Sequence, residues 1–320
     1  MKKIVCICLL LFCIEILFIS CIPAVENDFA LLKIIENDKW GFIDKARNIV
    51  IEPVFDSVTD FHEGFAVVEL GREWGYINEK GIFIEPIYMF ARSFNNGRAA
   101  VGRDGKYGYI NDEGKLVIDY EYKWAYFFHE GLACVVKYND LKSNDNNEYG
   151  FIDRTGNLVI PFIYKQKYIT GYKTDPEFPG YGFSEGLVHV FDKKKGKYGF
   201  IDKNGRMAIE PRYDYAKRFI NGYAVVSVYE TREKLRYIEG VIDKKGNYII
   251  QPSYDKCFPF KKVGSRLIAR VKKGDKYGYV DINNKPVIDF DFIYLDEFQE
   301  GLAFGSKIII SESGEISANN

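Results

Sequence analysis

Lys197-Tyr198-Gly199-Phe200-Ile201-Asp202, or KYGFID, is a short strand-forming segment closed by a turn former. Its pattern of aromatic, glycine, two apolar residues and Asp or Asn returns along the chain. It stands at Gly41 (KWGFID), Gly75 (EWGYIN), Gly108 (KYGYIN), Gly150 (EYGFID), Gly240 (IEGVID) and Gly278 (KYGYVD). A spacing of roughly forty residues is the period of a repeat architecture, in which one unit cannot bury its apolar face alone. The period is loose and is lengthened by insertions.

Two further landmarks accompany each marker. Upstream lies a Phe-rich turn ending in glycine and followed by an apolar strand, as in FHEGFAVV at 61–68, FHEGLACVV at 128–136 and FSEGLVHV at 183–190. Downstream lies an Ile/Val–acid–Pro stretch with an aromatic, such as IEPVFD and IEPRYD, with Tyr120 and Phe290 replacing the proline in two copies. Asp-x-x-Gly joins the second and third strands at Asp153–Gly156, Asp202–Gly205 and Asp243–Gly246. Asn78–Gly81 and Asn111–Gly114 are variants of it. Asp or Asn opens such a turn by accepting backbone hydrogen bonds, and glycine takes its left-handed position. Proline cannot donate to a ladder, which places it at an edge, a bulge or a strand end. The marker glycine is expected to leave room for a neighbouring ring over bare backbone. The sum is an all-β tandem array of antiparallel β-hairpin units of about three strands each. An open or superhelical solenoid is favoured, with a seven-bladed β-propeller as the alternative.

These motifs resemble the bacterial WG-repeat (KWG-repeat) family over about residues 29–316. The marker uses Trp only at Trp40 and Trp74, Tyr in four copies and Glu239 in one. The resemblance implies an all-β repeat scaffold and brings no catalytic residues with it.

The N-terminus reads as a targeting segment: Lys2 and Lys3, an apolar run from Ile4 to Ile19, then Ser20 and Cys21. Phe18-Ile19-Ser20-Cys21 resembles a bacterial lipoprotein signal, with Phe18 where Leu is usual and Glu15 inside the apolar run. The expected layout is a signal peptide at 1–20, a tether at 21–28, seven marked units plus a degenerate terminal unit at 29–316, and a tail at 317–320. Lipidation at Cys21 would make this an exported, membrane-anchored protein of the bacterial cell envelope. Cys134 and Cys257 remain in the body without metal spacing, and Cys134 reads as a small buried hydrophobe.

Composition narrows the function. Aromatics make up 16% of the chain, which favours strands and a large core. The net charge of −1 lacks the basic surplus of a nucleic-acid binder, so no nucleic-acid partner is expected. His62 and His129 share one turn register, and His189 lies one strand later, so none reads as a metal ligand. Glu63, Glu130, Glu185 and Glu300 each precede a turn glycine, and Asp44, Asp153, Asp202, Asp243 and Asp281 each close the second strand. Turn chemistry accounts for these acids better than paired-carboxylate catalysis does. Lys193-Lys194-Lys195 reads as a solvated hairpin tip. Nothing points to an enzyme, a cofactor or a metal.

What the repeat does not explain is more informative. Insertions run from Tyr138 to Glu148, Tyr229 to Ile238, and Lys165 to Gly182. The last holds Tyr168, Tyr172, Phe178 and Tyr181, and extra loops on a repeat scaffold often form its binding face. The expected function is a non-enzymatic envelope protein presenting a β-repeat surface to a protein or surface polymer. The alternative is a carbohydrate- or peptidoglycan-binding module that stacks sugars on those aromatics.

Overall fold

The computed structural model describes residues 31–137, 148–165, 182–231, 236–297, 305–310 and 316–319. Every helix-or-strand element among them is a β-strand, and the strand pairings are antiparallel. The chain divides into two bodies, residues 1–87 and 88–320.

In the first body, Leu32–Glu36, Lys39–Ile43 and Ile49–Phe55 form a three-stranded sheet in chain order. Ser57–Val58, Phe65–Leu70, Glu73–Asn78 and Gly81–Tyr88 form the next, also in chain order. Phe42, Ile51 and Phe55 of one sheet bury against Ala66, Val68 and Ile77 of the other.

The second sheet displays the full unit. It has four strands where the sequence suggested about three, because a two-residue strand, Ser57–Val58, precedes the turn and pairs with Phe65–Leu70. Two residues carry too little periodicity to be read from sequence. The Phe-rich turn is a two-residue hairpin in which His62 and Phe65 exchange backbone bonds of 2.8 and 3.1 Å. Glu63 and Gly64 both have positive φ, 51° and 86°, as the mirror-image turn matching strand twist requires.

Asp-x-x-Gly behaves as the sequence suggests. The Gly156 amide donates to the Asp153 carbonyl at 3.0 Å with φ at 89°. Asp153 Oδ1 accepts from the amides of Thr155 (2.8 Å) and Asn157 (3.0 Å). The proline sits on a bulge: Tyr198 pairs with Tyr213 and Phe200 with Ile209, so extra residues of the outer strand, Pro211 among them, loop out between.

That bulge corrects the expectation for the marker glycine. A Cβ on Gly199 would lie 2.5 Å from the Ile209 carbonyl oxygen and 2.7 Å from the Pro211 nitrogen. At Gly41 and Gly240 the same carbonyl stands 2.5 Å away. Glycine is therefore required by the neighbouring backbone rather than by a ring. At Gly278, where Phe290 replaces the proline, a ring also approaches, at 3.3 Å.

The second body repeats the plan. Arg98–Arg103, Lys106–Asn111, Leu116–His129, Leu132–Lys137, Glu148–Asp153 and Leu158–Lys165 belong to one seven-stranded sheet headed by Phe90–Ala91. Leu116–His129 is long enough, at 14 residues, to end one unit and begin the next. There follow a three-stranded sheet from Leu187 to Tyr213, a four-stranded one from Tyr215 to Tyr254, and a final sheet from Lys256 to Asn319. Successive sheets share cores. Leu132, Cys134 and Val136 meet Val188, Val190 and Ile201, with Phe151 and Phe183 between them. Leu187, Phe200 and Tyr213 meet Phe219, Val226 and Ile242. Each such side chain contributes about 2 kcal/mol of burial, so neighbouring units stabilise one another.

Candidate functional site

The acids shared by the repeats bind the scaffold to itself. In the second body, Asn96 Oδ1 accepts from the Gly131 amide at 3.2 Å. One unit later Glu130 Oε2 accepts from the Gly186 amide at 2.9 Å, and then Glu185 Oε2 from the Gly222 amide at 2.9 Å. Each turn side chain thus satisfies the turn glycine of the next unit. Lys203 lies 3.0 Å from Glu130 Oε2 and Lys244 lies 3.0 Å from Glu185 Oε2, both reaching back from the following unit. Burial acts to raise the Glu130 carboxyl, but the bonds from Lys203 and Gly186 outweigh it and hold it below its ordinary value. At the next step the turn sequence changes to Val263-Gly264-Ser265-Arg266, and Asn221 Nδ2 donates to the Phe260 carbonyl at 2.8 Å instead.

Turn chemistry accounts for only half of this pattern. Glutamate is a poor resident of positive φ, where Asn and Gly are at home. Its recurrence at Glu63, Glu130 and Glu185 was the available signal that the side chain had a second task.

The histidines divide as their registers suggest. His62 is exposed and His129 half-buried, each opening a hairpin turn. His189 faces Phe200 across its strand pair, the register that Cys134 holds opposite Phe151. It makes edge contacts with Tyr198 and Phe200 at 5.9 and 6.4 Å. Its Nδ1 is buried with no hydrogen-bond partner among the described residues, and burial pushes the imidazole down to about 4. Among the described residues no three His, Cys, Asp or Glu side chains group to hold a metal ion. Cys134 and Cys257 are both buried free thiols, and burial raises each.

Glu239, the acid in a marker-aromatic position, is 1% exposed. Its Oε2 accepts from the Cys257 amide at 2.7 Å and lies 3.6 Å from Lys217 Nζ, while Ser227 Oγ donates to its Oε1 at 3.4 Å. It links its unit to the next by polar bonds where other copies use a ring. The other marker aromatics are core or half-buried, with Tyr149 and Tyr198 each 6% exposed.

Tyr168, Tyr172, Phe178, Tyr181 and Cys21 lie outside the described residues, as do 138–147 and 232–235. Gly182, at the end of the long insertion, packs so closely on His129 that a Cβ there would be 2.5 Å from its Cδ2. The charged insertion lengthens a hairpin, Tyr223–Thr231 with Arg236–Asp243. There Tyr229 and Tyr237 stack at 4.2 Å with their hydroxyls bonded, and Arg236 pairs with Asp255 at 2.7 Å. Lys193–Lys195 form a hairpin turn, with Lys195 paired to Glu210 at 2.7 Å.

The WG-containing repeat pattern matches residues 40–72, 74–107, 107–140, 149–166, 198–230, 240–277 and 277–304. The chain belongs to the WG-containing repeat family. No curated protein matches the sequence of this WG-repeat chain. Among solved structures it is similar to a eukaryotic initiation factor with a TM-score of 0.53 at 8% identity, over 87% of this chain and 79% of that one. It is also similar to a virginiamycin B lyase from Staphylococcus aureus, with a TM-score of 0.33 at 14% identity, over 82% and 95% of the two chains. A puromycin hydrolase gives a TM-score of 0.34 at 10% identity, over 87% of the WG-repeat chain and 56% of the hydrolase. At such identities the first likeness concerns the β-rich fold alone.

Proposed function

We propose that this WG-repeat array is a non-enzymatic scaffold of a bacterial cell envelope that presents its surface to a protein or surface polymer. The observation that carries the reading is the use made of the recurring acids. Glu130 and Glu185 are engaged by the next unit's glycine amide and lysine, and Asp153 by its own turn. Residues consumed this way are not free for acid–base work, which leaves recognition to irregular positions. Lipidation at Cys21 would hold the array at the membrane. Cys21→Ser should then move the protein from the membrane to the soluble fraction, and retention in the membrane would refute the anchor.

The second reading is a carbohydrate- or peptidoglycan-binding module, favoured by four aromatics within the 165–182 insertion. Binding of the full chain and of a 165–182 deletion to purified peptidoglycan and a glycan array separates the two. Sugar binding lost on deletion establishes the module. Absence of sugar binding in both proteins removes it and leaves the protein-partner scaffold.

A further inference from the structure

We infer that the unit between Lys256 and Asp281 carries a binding site for a phosphate-bearing anion, formed by Lys256, Arg270 and Lys272 over the rings of Phe258 and Tyr277. The chain is close to neutral overall, with a net charge of −1. Yet from Lys256 to Lys276 it carries eight Lys or Arg residues against the single carboxylate of Asp275. Three of these cations meet on one face. The Arg270 guanidinium lies 3.8 Å from the Phe258 ring centroid and Lys256 Nζ lies 4.9 Å from the same centroid. Lys272 Nζ and Arg270 lie 5.5 and 5.8 Å from the Tyr277 centroid.

Two nearby carboxylates offset part of this charge, each shared with a cation outside the trio. Asp255 accepts from Arg236 and from the Gly274 amide. Glu297 pairs with Lys261 and stands 4.0 Å from Arg270. Arg270 donates to the Leu295 carbonyl, while its buried Nε has no hydrogen-bond partner among the described residues.

The register shows that the arrangement is peculiar to this unit. Lys256 pairs directly with Lys272, a like-charge cross-strand pair that is destabilising in itself. The corresponding pairs elsewhere are Ser57 with Glu69, Phe90 with Gly102, Trp124 with Val136 and Tyr215 with Ser227. The rings and the two carboxylates offset this charge only in part, and the excess of cations over acids is what a ligand would complete. A single carboxylate would neutralise one cation. A phosphoryl group brings up to two charges and three acceptor oxygens, which suits the two ammonium groups of Lys256 and Lys272, with the Arg270 charge behind them.

The proposal goes beyond the scaffold reading and does not depend on the 165–182 insertion. The test measures binding of the purified full chain to soluble polyphosphate and to phosphatidic acid vesicles at low and moderate salt. Wild type should bind at least one of them with an affinity that falls as salt rises. Binding to vesicles alone assigns a lipid headgroup, and binding to polyphosphate assigns a free phosphate chain. Lys256→Gln/Lys272→Gln, which alters two side chains at the surface and spares Arg270, should weaken binding roughly tenfold or more. Lys193→Gln/Lys194→Gln, with equal loss of charge, should leave it unchanged. Equal weakening by both pairs, or no binding of wild type to either probe, would overturn the site.

Discussion

Gly199 shows how much of this fold rests on single atoms. The outer strand bulges toward it, and the Ile209 carbonyl occupies the space a methyl group would need. Gly199→Ala must displace backbone on one strand or the other and should lower stability by about 2 kcal/mol or more, measured by urea denaturation. His189 offers a test of a different kind. Its pKa of about 4 in the folded protein lies below the ordinary 6.5, because its ring is buried and charging it there is unfavourable. The unfolded chain therefore takes up the proton first as pH falls. The stability that neutral His189 supplies is complete above 6.5 and is lost progressively between 6.5 and about 4. Denaturation at pH 7 and pH 5 should show a smaller acid loss in His189→Leu than in wild type. Equal losses would mean that the ring is not held neutral. The glycine was visible in the sequence but its reason was not, since a bulge on the paired strand decides it. His189 occupies the register that Cys134 holds in the preceding unit, each opposite a phenylalanine of the marker strand.

Hairpins and turns were the most legible elements, because their chemistry is local. Asp153 reads as a turn opener from the glycine three residues later, and its carboxylate accepts bonds from Thr155 and Asn157. Asn78 and Asn111 fill the same position and accept the amides of Lys80 at 2.8 Å and Lys115 at 2.9 Å. Asp153→Asn should therefore be nearly neutral, whereas Asp153→Ala should cost about 1 kcal/mol in thermal or urea melts. The bonds from Thr155 lead in holding the Asp153 carboxyl below its ordinary value. Its contribution is thus present above the usual carboxylate range and fades as pH falls through the folded-state value, a trend the Asn variant should lack. The proline stretch was legible as an edge, a bulge or a strand end, since proline has no amide to give the ladder, and the structure has the bulge. Pro211 and Pro252 lie on strands that end their sheets, where a bulge discourages pairing with a stray strand. The two-residue strands escaped notice because they are defined by partners in the next hairpin rather than by their own pattern.

At the scale of the molecule, seven copies of one marker made the all-β repeat scaffold legible before any coordinates. Less visible was how units join, because side chains that cross from unit to unit leave no local pattern. Glu130 and Glu185 resembled ordinary turn residues, and Glu239 resembled a defect in the marker. The first two turn out to reach the next unit's turn, and Glu239 bonds to the Cys257 amide of the unit after it. The basic unit from Lys256 to Lys276 was hidden by a balanced total charge, which averages over units that differ. Shared residues therefore fasten the array, and the proposed recognition falls to the departures from the repeat. Amide hydrogen exchange on the double variant Glu130→Ala/Glu185→Ala, beside its urea midpoint, tests this most directly. Faster exchange at Gly186 and Gly222, with a loss of about 2 kcal/mol across the two links, is the expected result. Unchanged exchange at both glycines and an unchanged midpoint would show that these carboxylates do not fasten the units, and would contradict the account.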